Sequence, residues 1–318
     1  MWLDVLERQK LVELAYQKGK ELTLSNKKYL SWLDSFFSRE YSDDVLTGDV
    51  TSNSVLTKNK PTTAFLYAKS PGVIAGLEET SWFLKQHGLE VKTHVTDGQT
   101  INKGDLVLTL QGAQKEILST ERICLNVLQR MSGIATETKI LVTSLSNYHT
   151  RIAATRKTLL RYLDKKAVFL GGGLTHRFSL WDAILIKDNH LETVKKEGIT
   201  DYIEIALARA SKNVDAVDFV EIEVTSHEEA LTAAQTFNSL KLKKPCAIML
   251  DNMCPTLIEE TMATLREKNL YENLLLEASG DITPENIKNY AKTAVDVVSM
   301  GYLTHSVKAL DLSLEMTP

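Results

Sequence analysis

Basic residues in one run of the chain, residues 154–190, are grouped in a way that suits the binding of a small anion. The groups are Arg156-Lys157, His176-Arg177 and Lys187. Each follows a short apolar stretch that we interpret as a strand, and these stretches are Arg151–Ala154, Ala167–Leu170 and Ala183–Ile186. Cations at the carboxyl ends of successive parallel strands converge on one mouth of a sheet or barrel. The pattern therefore predicts a site for a small, multiply anionic ligand.

The distribution of charge along the chain supports this interpretation. Residues 121–190 contain 11 Lys and Arg against 5 Asp and Glu, although the whole chain has a formal net charge of −4. A locally basic segment in an acidic protein favours a small anionic ligand over nucleic acid, which needs a wider basic surface. Lys165-Lys166 and Lys195-Lys196 are expected to be solvated surface charges.

Composition is typical of an ordinary soluble globular protein. The 318 residues are 43% apolar and 25% charged, and they suffice for a full α/β barrel or for two domains. No apolar run approaches the roughly 20 residues of a membrane span, so no membrane partner is expected. The N-terminal residues are charged and partly acidic, which argues against a signal or transit peptide. Because Cys124, Cys246 and Cys254 form no C-x-x-C motif, a reducing cytoplasm is the expected compartment.

The first part of the chain is expected to combine helices with a small α/β sandwich. Apolar residues at a spacing of three or four predict helices within residues 1–40. Four strands are then predicted, over Thr63–Lys69, Gly72–Ala75, Glu90–Val95 and Asp105–Gln111. One helix is predicted among them, over Glu78–His87. A long helix is expected from about Ile117 to Met131, ended by Ser132-Gly133, and a second from about Ala135 to Leu145.

Beyond residue 145, strands and helices alternate, which predicts a parallel α/β fold. The candidate strands are Arg151–Ala154, Ala167–Leu170, Ala183–Ile186, Phe219–Val224, Ala247–Leu250, Leu274–Ala278 and Val295–Ser299. The candidate helices are Ile199–Ala210, Glu228–Thr236, Pro255–Lys268 and Pro284–Thr293. About six or seven such units without a G-x-G-x-x-G fingerprint favour a barrel over a dinucleotide-binding sheet.

Chemistry in such barrels takes place after the carboxyl ends of the strands. The residues found there are Arg156-Lys157, His176-Arg177, Lys187, Glu221 or Glu223, Asp251-Asn252, Ser279-Gly280 and Gly301. Cations neutralise carboxylates or phosphates, and carboxylates hold sugar hydroxyls or Mg²⁺. Small residues let backbone N–H groups approach a phosphate. Together these residues indicate a site for a sugar phosphate and an acidic co-substrate.

At these residues the chain resembles the quinolinate phosphoribosyltransferase family, whose members are also called carboxylating nicotinate-nucleotide pyrophosphorylases. The resemblance covers nearly the whole chain from about Leu46. Its motifs, in chain order, are LTGDVTS, GVIAGLE, DGQTINKGD, ERICLNVLQRMSGIAT, ATRKT, GGGLTHRFSLWDAILIKDNHL, VEIEVTSHEEAL, IMLDNMCP, LEASGDIT and SMGYLTHSVKALDLSL.

The resemblance implies the α/β fold of the type II phosphoribosyltransferases, in which an N-terminal α/β sandwich accompanies an incomplete parallel α/β barrel. The N-terminal helices and sandwich are expected over residues 1–130, and the barrel catalytic domain over residues 131–301. The C-terminal tail, residues 302–318, is expected to join the sandwich. The family further implies a homodimer in which Arg122 is donated across the interface, and it leaves open whether dimers assemble into a hexamer.

The implied reaction is phosphoribosyl transfer from phosphoribosyl pyrophosphate to quinolinate, with Mg²⁺ as the cofactor. Pyrophosphate and CO₂ are released, and nicotinate mononucleotide is formed in NAD biosynthesis. The residues that match catalytic positions of the family are Arg156, Lys157, His176, Arg177, Lys187, Glu221 and Asp251. Those that match substrate-binding positions are Arg122, Arg156, Arg177, Lys187, Ser279, Gly280, Gly301 and His305. Glu221 and Asp251 match the acidic positions near the ribose and the metal.

The chemistry of these side chains agrees with the implied reaction. Quinolinate carries two carboxylates beside a ring nitrogen, so its site needs fixed cations, and a guanidinium binds a carboxylate with two hydrogen bonds. The reaction requires no nucleophilic side chain, because the ring nitrogen itself attacks C1 of the ribose as pyrophosphate departs. Catalysis is then expected to consist mainly of positioning and electrostatic stabilisation.

Some assignments have alternatives that the sequence leaves open. Arg122 is also compatible with an ordinary arginine on a helix surface. Glu221 and Glu223 are two residues apart on one strand and face the same way, and one of them has a structural role in the alternative interpretation. His190 is equally compatible with a loop histidine and with a ligand.

The chain departs from the family pattern at two places. The segment Thr155–Val168, TRKTLLRYLDKKAV, lacks the usual Pro-Gly and is about two residues shorter, which affects the position of Arg161. Asp281 follows Ser279-Gly280, where the family has Gly or Asn, and a carboxylate repels a phosphate unless it meets a cation. Two alternative functions are therefore a diverged paralogue acting on another small acid and a non-catalytic ligand-binding protein on the same fold.

Overall fold

The computed structural model describes residues 5–272 and 274–317. The α-helices in this part of the chain are α1 (Val5–Tyr16), α2 (Lys27–Val45), α3 (Val50–Val55), α4 (Leu77–Gln86), α5 (Gln114–Ser144), α6 (Arg161–Leu170), α7 (Asp188–Lys196), α8 (Tyr202–Ala210), α9 (His227–Leu240), α10 (Pro255–Glu267), α11 (Ile287–Lys292) and α12 (Tyr302–His305). The strands are β1 (Pro61–Ala68), β2 (Gly72–Val73), β3 (Glu90–Thr93), β4 (Thr100–Ile101), β5 (Leu106–Ala113), β6 (Arg151–Ala154), β7 (Ile184–Ile186), β8 (Val220–Val224), β9 (Cys246–Asp251), β10 (Leu274–Ser279), β11 (Val297–Met300) and β12 (Leu312–Met316). None of the described helices combines the length and apolar character needed to cross a membrane.

The chain divides into two compact units, each built from segments that are separate in the sequence. The sandwich unit contains residues 19–140, residues 159–172 and the tail from residue 306. The barrel unit contains the described residues up to Lys18 together with residues 141–158 and 173–305. This division differs from the expected one, since α1 and residues 302–305 belong to the barrel unit, whereas residues 131–140 and 159–172 belong to the sandwich unit. Residues 1–4 and 318 of the expected domains lie outside the described residues.

The sandwich unit is built on an antiparallel sheet with the strand order β12-β1-β5-β3. Along β1, the buried residues Ala64, Leu66 and Ala68 alternate with half-exposed neighbours, as a sheet with one covered face requires. The tail strand β12 pairs with β1, with Leu66 opposite Leu314. β2 and β4 form a separate two-stranded antiparallel sheet.

The prediction that Ser132-Gly133 ends a helix is wrong, because α5 runs unbroken over Gln114–Ser144. A Cβ atom at Gly133 would lie 2.2 Å from the carbonyl oxygen of Lys308. The hydroxyl of Ser132 accepts a hydrogen bond of 3.0 Å from the amide of Ala75. Gly133 therefore permits close packing of the tail against α5. The helix tolerates this glycine although it is roughly 1 kcal/mol less favourable than alanine in a helix interior.

Two further predictions are wrong in the segment that follows β6. Residues 167–170, predicted as a strand, form the end of α6, which buries Leu163, Ala167 and Val168 at helical spacing. Lys165 and Lys166, predicted to be solvated, are buried, and Lys166 pairs with Glu78 and Glu79. The pairing compensates the buried ammonium. The other lysine pair, Lys195-Lys196, is exposed as predicted.

The barrel unit contains six parallel strands in the order β6-β11-β10-β9-β8-β7. Leu174 continues the sheet beyond β6 through a parallel bridge to Ala153. The other six strands predicted for this part of the chain are confirmed, with ends that shift by up to two residues. The helices that connect them confirm the predicted strand–helix alternation.

The core of the barrel unit contains one residue from each of the six strands, or from the position directly before the strand, together with the bridge residue Leu174. These residues are Ala153, Leu174, Ala183, Phe219, Ala247, Leu275 and Val297. Helix α1 packs against them with Val12, Ala15 and Tyr16, all fully buried. The interior of the barrel unit is therefore filled partly by the N-terminal helix rather than by strand residues alone.

Candidate active site

The carboxyl ends of the parallel strands lie level with one another, so the residues after them share one edge of the sheet. Met300 pairs with Ala154, Ser279 with Asp251, and Ile186 with Ile222. We call this edge, with the loops that follow the strands, the mouth of the barrel unit. All predicted site residues except Arg122 belong to the barrel unit.

The loop after β6 presents two cations at the mouth. Arg156 and Lys157 are exposed, and the amide of Lys157 donates to the hydroxyl of Thr155 at 3.1 Å. The hydroxyl of Thr304 donates to the carbonyl of Lys157 at 2.6 Å, which joins this loop to α12. A Cβ at Gly301 would lie 2.9 Å from the ring of His305 and 3.1 Å from Cδ of Lys157. Glycine at position 301 therefore allows the lysine and histidine to approach the end of β11 closely.

Arg177 is a buried cation beside a second cation. It is 6% exposed, and its Nη1 atom donates to the carbonyl of Ala183 at 3.4 Å. Burial and the positive charge of Arg156 lower its pKa from the usual value, against the pull of Glu221, Asp182 and Glu277. Among the described residues, neither arginine forms a side-chain ion pair with a carboxylate. Two neighbouring guanidinium groups without such a partner are suited to bind an anion with several negative charges.

Lys187 and two carboxylates form a second charged group at the mouth. Lys187 Nζ donates to Glu223 Oε2 at 3.0 Å, and the side chain of Glu223 is 10% exposed. Burial raises the pKa of Asp251, and Asp188 acts in the same direction, whereas Lys187 and Lys157 oppose the rise. The backbone amide of Lys187 donates to Nδ1 of His190 at 2.9 Å. His190 is therefore the third residue of α7 rather than a loop residue, and its ring caps the start of that helix.

The two glutamates of β8 occupy different depths. Glu221 is fully buried, whereas Glu223, two residues closer to the carboxyl end of the strand, meets Lys187. A ligand at the mouth therefore has access to Glu223 before Glu221. The resemblance implied Glu221 for the acidic position near the ribose, but the depths of the two side chains favour Glu223 as the residue that faces a ligand.

A buried cluster lies beneath the mouth and contains His176, Glu221, Glu277 and Tyr16. Nε2 of His176 is 3.2 Å from Oε2 of Glu277 and 3.3 Å from Oε2 of Glu221. The hydroxyl of Tyr16 donates to Oε1 of Glu221 at 3.1 Å. Oε1 of Glu277 has no hydrogen-bond partner among the described residues. The cluster is enclosed, and its charges have to be balanced within it.

The protonation of His176 follows from two opposing contacts. Burial acts to lower its pKa, whereas the charges of Glu277 and Glu221 act to raise it. Nδ1, however, accepts a hydrogen bond of 2.7 Å from the amide of Arg177, which requires this nitrogen to be unprotonated. A proton on Nδ1 would face the amide N–H of Arg177 and leave one of these two buried donors unsatisfied. We therefore assign the neutral ring of His176 with its proton on Nε2. Burial and Glu277 raise the pKa of Glu221 to about 7, so this carboxyl gains a proton as the pH falls below neutrality.

Two loops at the mouth have the tight backbone that a phosphate site requires. Gly280 has a φ of 94°, and a Cβ there would lie 2.2 Å from Oδ1 of Asn252. Asn252, with a φ of 55°, donates its amide to the carbonyl of Ser279 at 2.9 Å and its side-chain Nδ2 to Asp251 at 2.7 Å. Asp281 also has a positive φ and is exposed. Asn252 therefore shapes the loop, and glycine at position 280 is required by both space and φ.

The acidic residues of the unit differ in their suitability for Mg²⁺. His176, Glu221 and Glu277 bring three ligating atoms within 4.8 Å of one another, but the cluster is buried. Mg²⁺ needs octahedral oxygen ligands and keeps several waters, which this enclosed cluster does not fit. Asp251 and Glu223 at the mouth are partly exposed and fit the ion better.

Arg122 belongs to the sandwich unit and lies on α5. It is exposed and lines a cavity of about 400 Å³ together with Glu40, Asp43, Asp44 and Arg130. Its interpretation as a surface arginine of a single chain and its implied role in a partner's site are both compatible with this exposure. The shortened segment lies between Thr158 and Arg161. Within it, after Thr158, the chain passes from the barrel unit to the sandwich unit.

Sequence reasoning missed two members of the buried cluster. Glu277 stands within the apolar run Leu274–Ala278, and a carboxylate in a buried strand is a signal that could have drawn attention to it. Tyr16 lies in a helix of low amphipathic character at the start of the chain, and no motif marks it. Its contribution depends on contacts with residues about 160 to 205 positions away.

The parallel unit with cations and glycine-containing loops at its strand ends defines a phosphoribosyltransferase of the type II class. Two family models match the chain, the N-terminal domain of quinolinate phosphoribosyl transferase over residues 49–132 and its C-terminal domain over residues 134–315. The chain therefore belongs to the quinolinate phosphoribosyltransferase family.

Individual relatives agree with this assignment. A probable carboxylating nicotinate-nucleotide pyrophosphorylase of Methanothermobacter thermautotrophicus is 38% identical over 86% of this chain and 95% of its own length. A protein of Bacillus subtilis with the same description is 35% identical over 90% of this chain and 93% of its own length. The crystal structure of NadC from Streptococcus pyogenes covers 90% of this chain and 96% of its own, with 34% identity and a TM-score of 0.78.

Proposed function

We propose that this protein transfers the phosphoribosyl group of phosphoribosyl pyrophosphate to the ring nitrogen of quinolinate and decarboxylates the product. The ring nitrogen forms a bond to C1 of the ribose as the bond from C1 to pyrophosphate breaks. Loss of CO₂ then leaves nicotinate mononucleotide. Membership of the family supports the activity, and the observation that carries it at the site is the pair of cations Arg156 and Arg177, which form no side-chain ion pair with a carboxylate in the described part of the chain.

In this proposal the dicarboxylate binds between the guanidinium groups of Arg156 and Arg177. Arg177 is already desolvated, so its hydrogen bonds to a carboxylate are strong, and Arg156 supplies a second charge from the exposed loop. Lys157 extends the positive field toward the place where pyrophosphate accumulates charge as it leaves. These contacts hold the ring nitrogen in position for attack, which is the main source of rate enhancement in a reaction without a protein nucleophile.

The carboxylates at the mouth act on the sugar side of the reaction. We assign the acidic role near the ribose to Asp251 and Glu223, and we place Glu221 in the buried cluster beneath them. Mg²⁺, when bound with the pyrophosphate substrate at Asp251 and Glu223, would neutralise charge on the leaving group. Lys187 sets the position of Glu223 through their ion pair.

The 5′-phosphate is proposed to bind to the loops after β10 and β11. Ser279, Gly280 and Gly301 let backbone N–H groups approach it, and His305 supplies a ring donor at the start of the tail. Arg122 is proposed to complete the site of a second copy of the chain in a homodimer, which its exposure on α5 permits.

The substrate is tested by comparing acids that differ by one carboxylate. The purified protein is incubated with phosphoribosyl pyrophosphate and Mg²⁺ and with quinolinate, nicotinate or phthalate in turn. We expect nucleotide formation with quinolinate only, because nicotinate leaves one arginine without a carboxylate and phthalate lacks the attacking nitrogen. Conversion of nicotinate at a comparable rate would contradict the proposed role of the two arginines.

The second candidate function is phosphoribosyl transfer to a different small acid. It is favoured by the shortened segment between Thr158 and Arg161, which follows directly on Arg156-Lys157. Binding of phosphoribosyl pyrophosphate without turnover of quinolinate would support this candidate, and turnover of quinolinate excludes it as the main activity.

A cytoplasmic location is part of the proposal. Cys124, Cys246 and Cys254 are all free thiols, and Cys254 is exposed, which suits a reducing compartment. A tobacco relative that is 36% identical carries the description mitochondrial, so cell fractionation is the deciding measurement.

A further inference from the structure

Helix α1 enters the barrel unit at the amino ends of its strands. Its residues Val12, Ala15 and Tyr16 are fully buried against the inward-facing strand residues. Three of those strand residues are Ala153, Ala183 and Ala247, and their small side chains leave space for a helix. Tyr16, at the end of α1, is the largest of the three helix side chains and extends furthest into the unit.

The side chain of Tyr16 reaches the buried cluster. Its ring lies 4.8 Å from the ring of His176 and 5.0 Å from that of Phe219, measured between centroids. Its hydroxyl donates to Oε1 of Glu221 at 3.1 Å. One side chain therefore contacts both the imidazole and one of the two carboxylates that surround it.

The backbone after α1 holds the segment that carries His176 and Arg177. The carbonyl of Tyr16 accepts the amide of His176 at 2.8 Å and the hydroxyl of Thr175 at 3.0 Å. The amide of Lys18 donates to the same hydroxyl at 2.9 Å. Residues 16–18 therefore fix the first half of this segment by hydrogen bonds.

Lys18 fixes the second half of the segment. Its Nζ donates to Oδ2 of Asp182 at 2.9 Å, and it also pairs with Asp218. Asp182 in turn accepts the amides of Phe178 at 2.7 Å and Ser179 at 3.1 Å. Because the side chain of Asp182 is almost fully buried, the ammonium of Lys18 is the charge that makes this turn stable.

The segment between these two anchors has an unfavourable backbone conformation. His176 has a φ of 53°, which costs a side-chain-bearing residue on the order of 1 kcal/mol. The conformation places Nδ1 of His176 2.7 Å from the amide of Arg177. The orientation of Arg177 thus depends on a strained residue whose ring is held by Glu221, Glu277 and Tyr16.

We propose that Tyr16 and Lys18 are positioning residues of the active site, which fix His176 and thereby orient Arg177 for binding the carboxylate of the acid substrate. The proposal rests on the proposed function for the identity of the acid. It assigns a role to a segment that precedes the two ranges matched by the family models, residues 49–132 and 134–315.

The first test uses Tyr16→Phe, which keeps the ring and removes only the hydroxyl. Tyr29→Phe is the matched control, because Tyr29 is also buried and donates to a buried glutamate, Glu79, at 2.7 Å within the sandwich unit. We expect Tyr16→Phe to raise the KM for quinolinate about tenfold with little change in the KM for phosphoribosyl pyrophosphate. Tyr29→Phe should lose similar thermal stability and leave both constants unchanged.

The second test measures hydrogen exchange and needs no substrate. In Tyr16→Phe and in Lys18→Met, the amides of residues 175–179 should exchange about tenfold faster than in the unmodified protein. Lys166→Met, which breaks a buried ion pair in the sandwich unit, is the control for Lys18→Met. Lys18→Arg should restore slow exchange, because it keeps the charge.

The two tests separate the positioning role from the proposed function. Failure of the unmodified protein to convert quinolinate would overturn the proposed function, and the exchange rates would still decide the positioning role. Exchange at residues 175–179 that is equal in Tyr16→Phe and Tyr29→Phe would overturn the positioning role. An unchanged KM for quinolinate in an otherwise active Tyr16→Phe protein would overturn its link to the acid site.

Discussion

Arg156 and Arg177 are the residues on which the acid specificity depends most directly. Arg156 is exposed in a loop and Arg177 is 6% exposed, and burial and the positive charge of Arg156 lower the pKa of Arg177. Both were found from the sequence, because basic residues after apolar stretches stand out. The depth of each side chain was not available from the sequence, since it depends on how neighbouring loops pack.

Replacement of Arg156 tests the cationic site. We expect Arg156→Ala to raise the KM for quinolinate by about 10 to 100-fold, the loss of one charge-assisted contact, with an unchanged melting temperature. Steady-state kinetics and a thermal melt measure the two quantities. Arg209→Ala, which removes an exposed arginine paired with Glu197, is the control and should leave both unchanged. A KM for quinolinate that stays the same in Arg156→Ala would refute the assignment.

The buried carboxyl of Glu221 predicts how stability depends on pH. Its pKa is raised by burial and by Glu277 from 4.5 to about 7, so the folded protein binds more protons than the unfolded chain between these values. The contribution of Glu221 to the free energy of unfolding should therefore fall as the pH rises from about 5 to 7, by on the order of 3 kcal/mol. Burial acts to raise the pKa of Glu277, but hydrogen bonds that include the one from Nε2–H of His176 act to lower it, so its effect lies below this range.

Urea denaturation at pH 5, 6 and 7 measures this slope. Glu221→Gln should reduce the dependence of the free energy of unfolding on pH, because glutamine does not titrate. This holds whether the substitution raises or lowers the absolute stability. Glu197→Gln, at an exposed position, should keep the slope of the unmodified protein. A slope that persists in Glu221→Gln would place the titrating group elsewhere.

At the scale of elements, the parallel strands could be predicted well and the helices around them less well. Strands β7 to β11 are short, apolar and bounded by turn residues, so their pattern is local. Residues 167–170 also resemble a strand, yet they form the end of helix α6, in which the buried Lys166 pairs with Glu79, a partner that the local pattern does not contain. The prediction that Ser132-Gly133 ends a helix is wrong for a related reason, since the glycine is explained by a contact with the tail about 175 residues away.

The contact at Gly133 gives a prediction for α5. A methyl group there would lie 2.2 Å from the carbonyl oxygen of Lys308, and backbone cannot move aside without cost. We expect Gly133→Ala to destabilise the protein by about 1 to 3 kcal/mol, although alanine is the better helix former. Lys139→Ala, at an exposed position of the same helix, should be neutral or slightly stabilising. A Gly133→Ala protein that unfolds at a higher urea concentration would show that the tail adjusts.

At the scale of the whole molecule, the proposed dimer connects Arg122 to the mouth of another copy. The sequence could suggest this connection only through the resemblance, because Arg122 by itself is an exposed arginine on a long helix. A twofold dimer makes the connection testable, since each site then contains residues from both chains.

Mixing two inactive variants tests the shared site. At a quinolinate concentration near the KM of the unmodified protein, Arg122→Ala and Arg156→Ala homodimers should each have little activity. Refolding an equal mixture should restore about a quarter of the activity, because half the dimers are mixed and each has one intact site. Mixing Arg122→Ala with unmodified chains calibrates the extent of exchange. An active Arg122→Ala protein, or a mixture that remains inactive although chains exchange, would contradict the donation of Arg122.

The proposed activity of this chain couples phosphoribosyl transfer to the decarboxylation of quinolinate. The direct measurement is the amount of nicotinate mononucleotide, pyrophosphate and CO₂ formed from quinolinate and phosphoribosyl pyrophosphate in the presence of Mg²⁺. We predict that the three products appear in equal amounts and that no CO₂ is released when phosphoribosyl pyrophosphate is left out. A folded, dimeric protein that forms no nicotinate mononucleotide under these conditions would contradict the account.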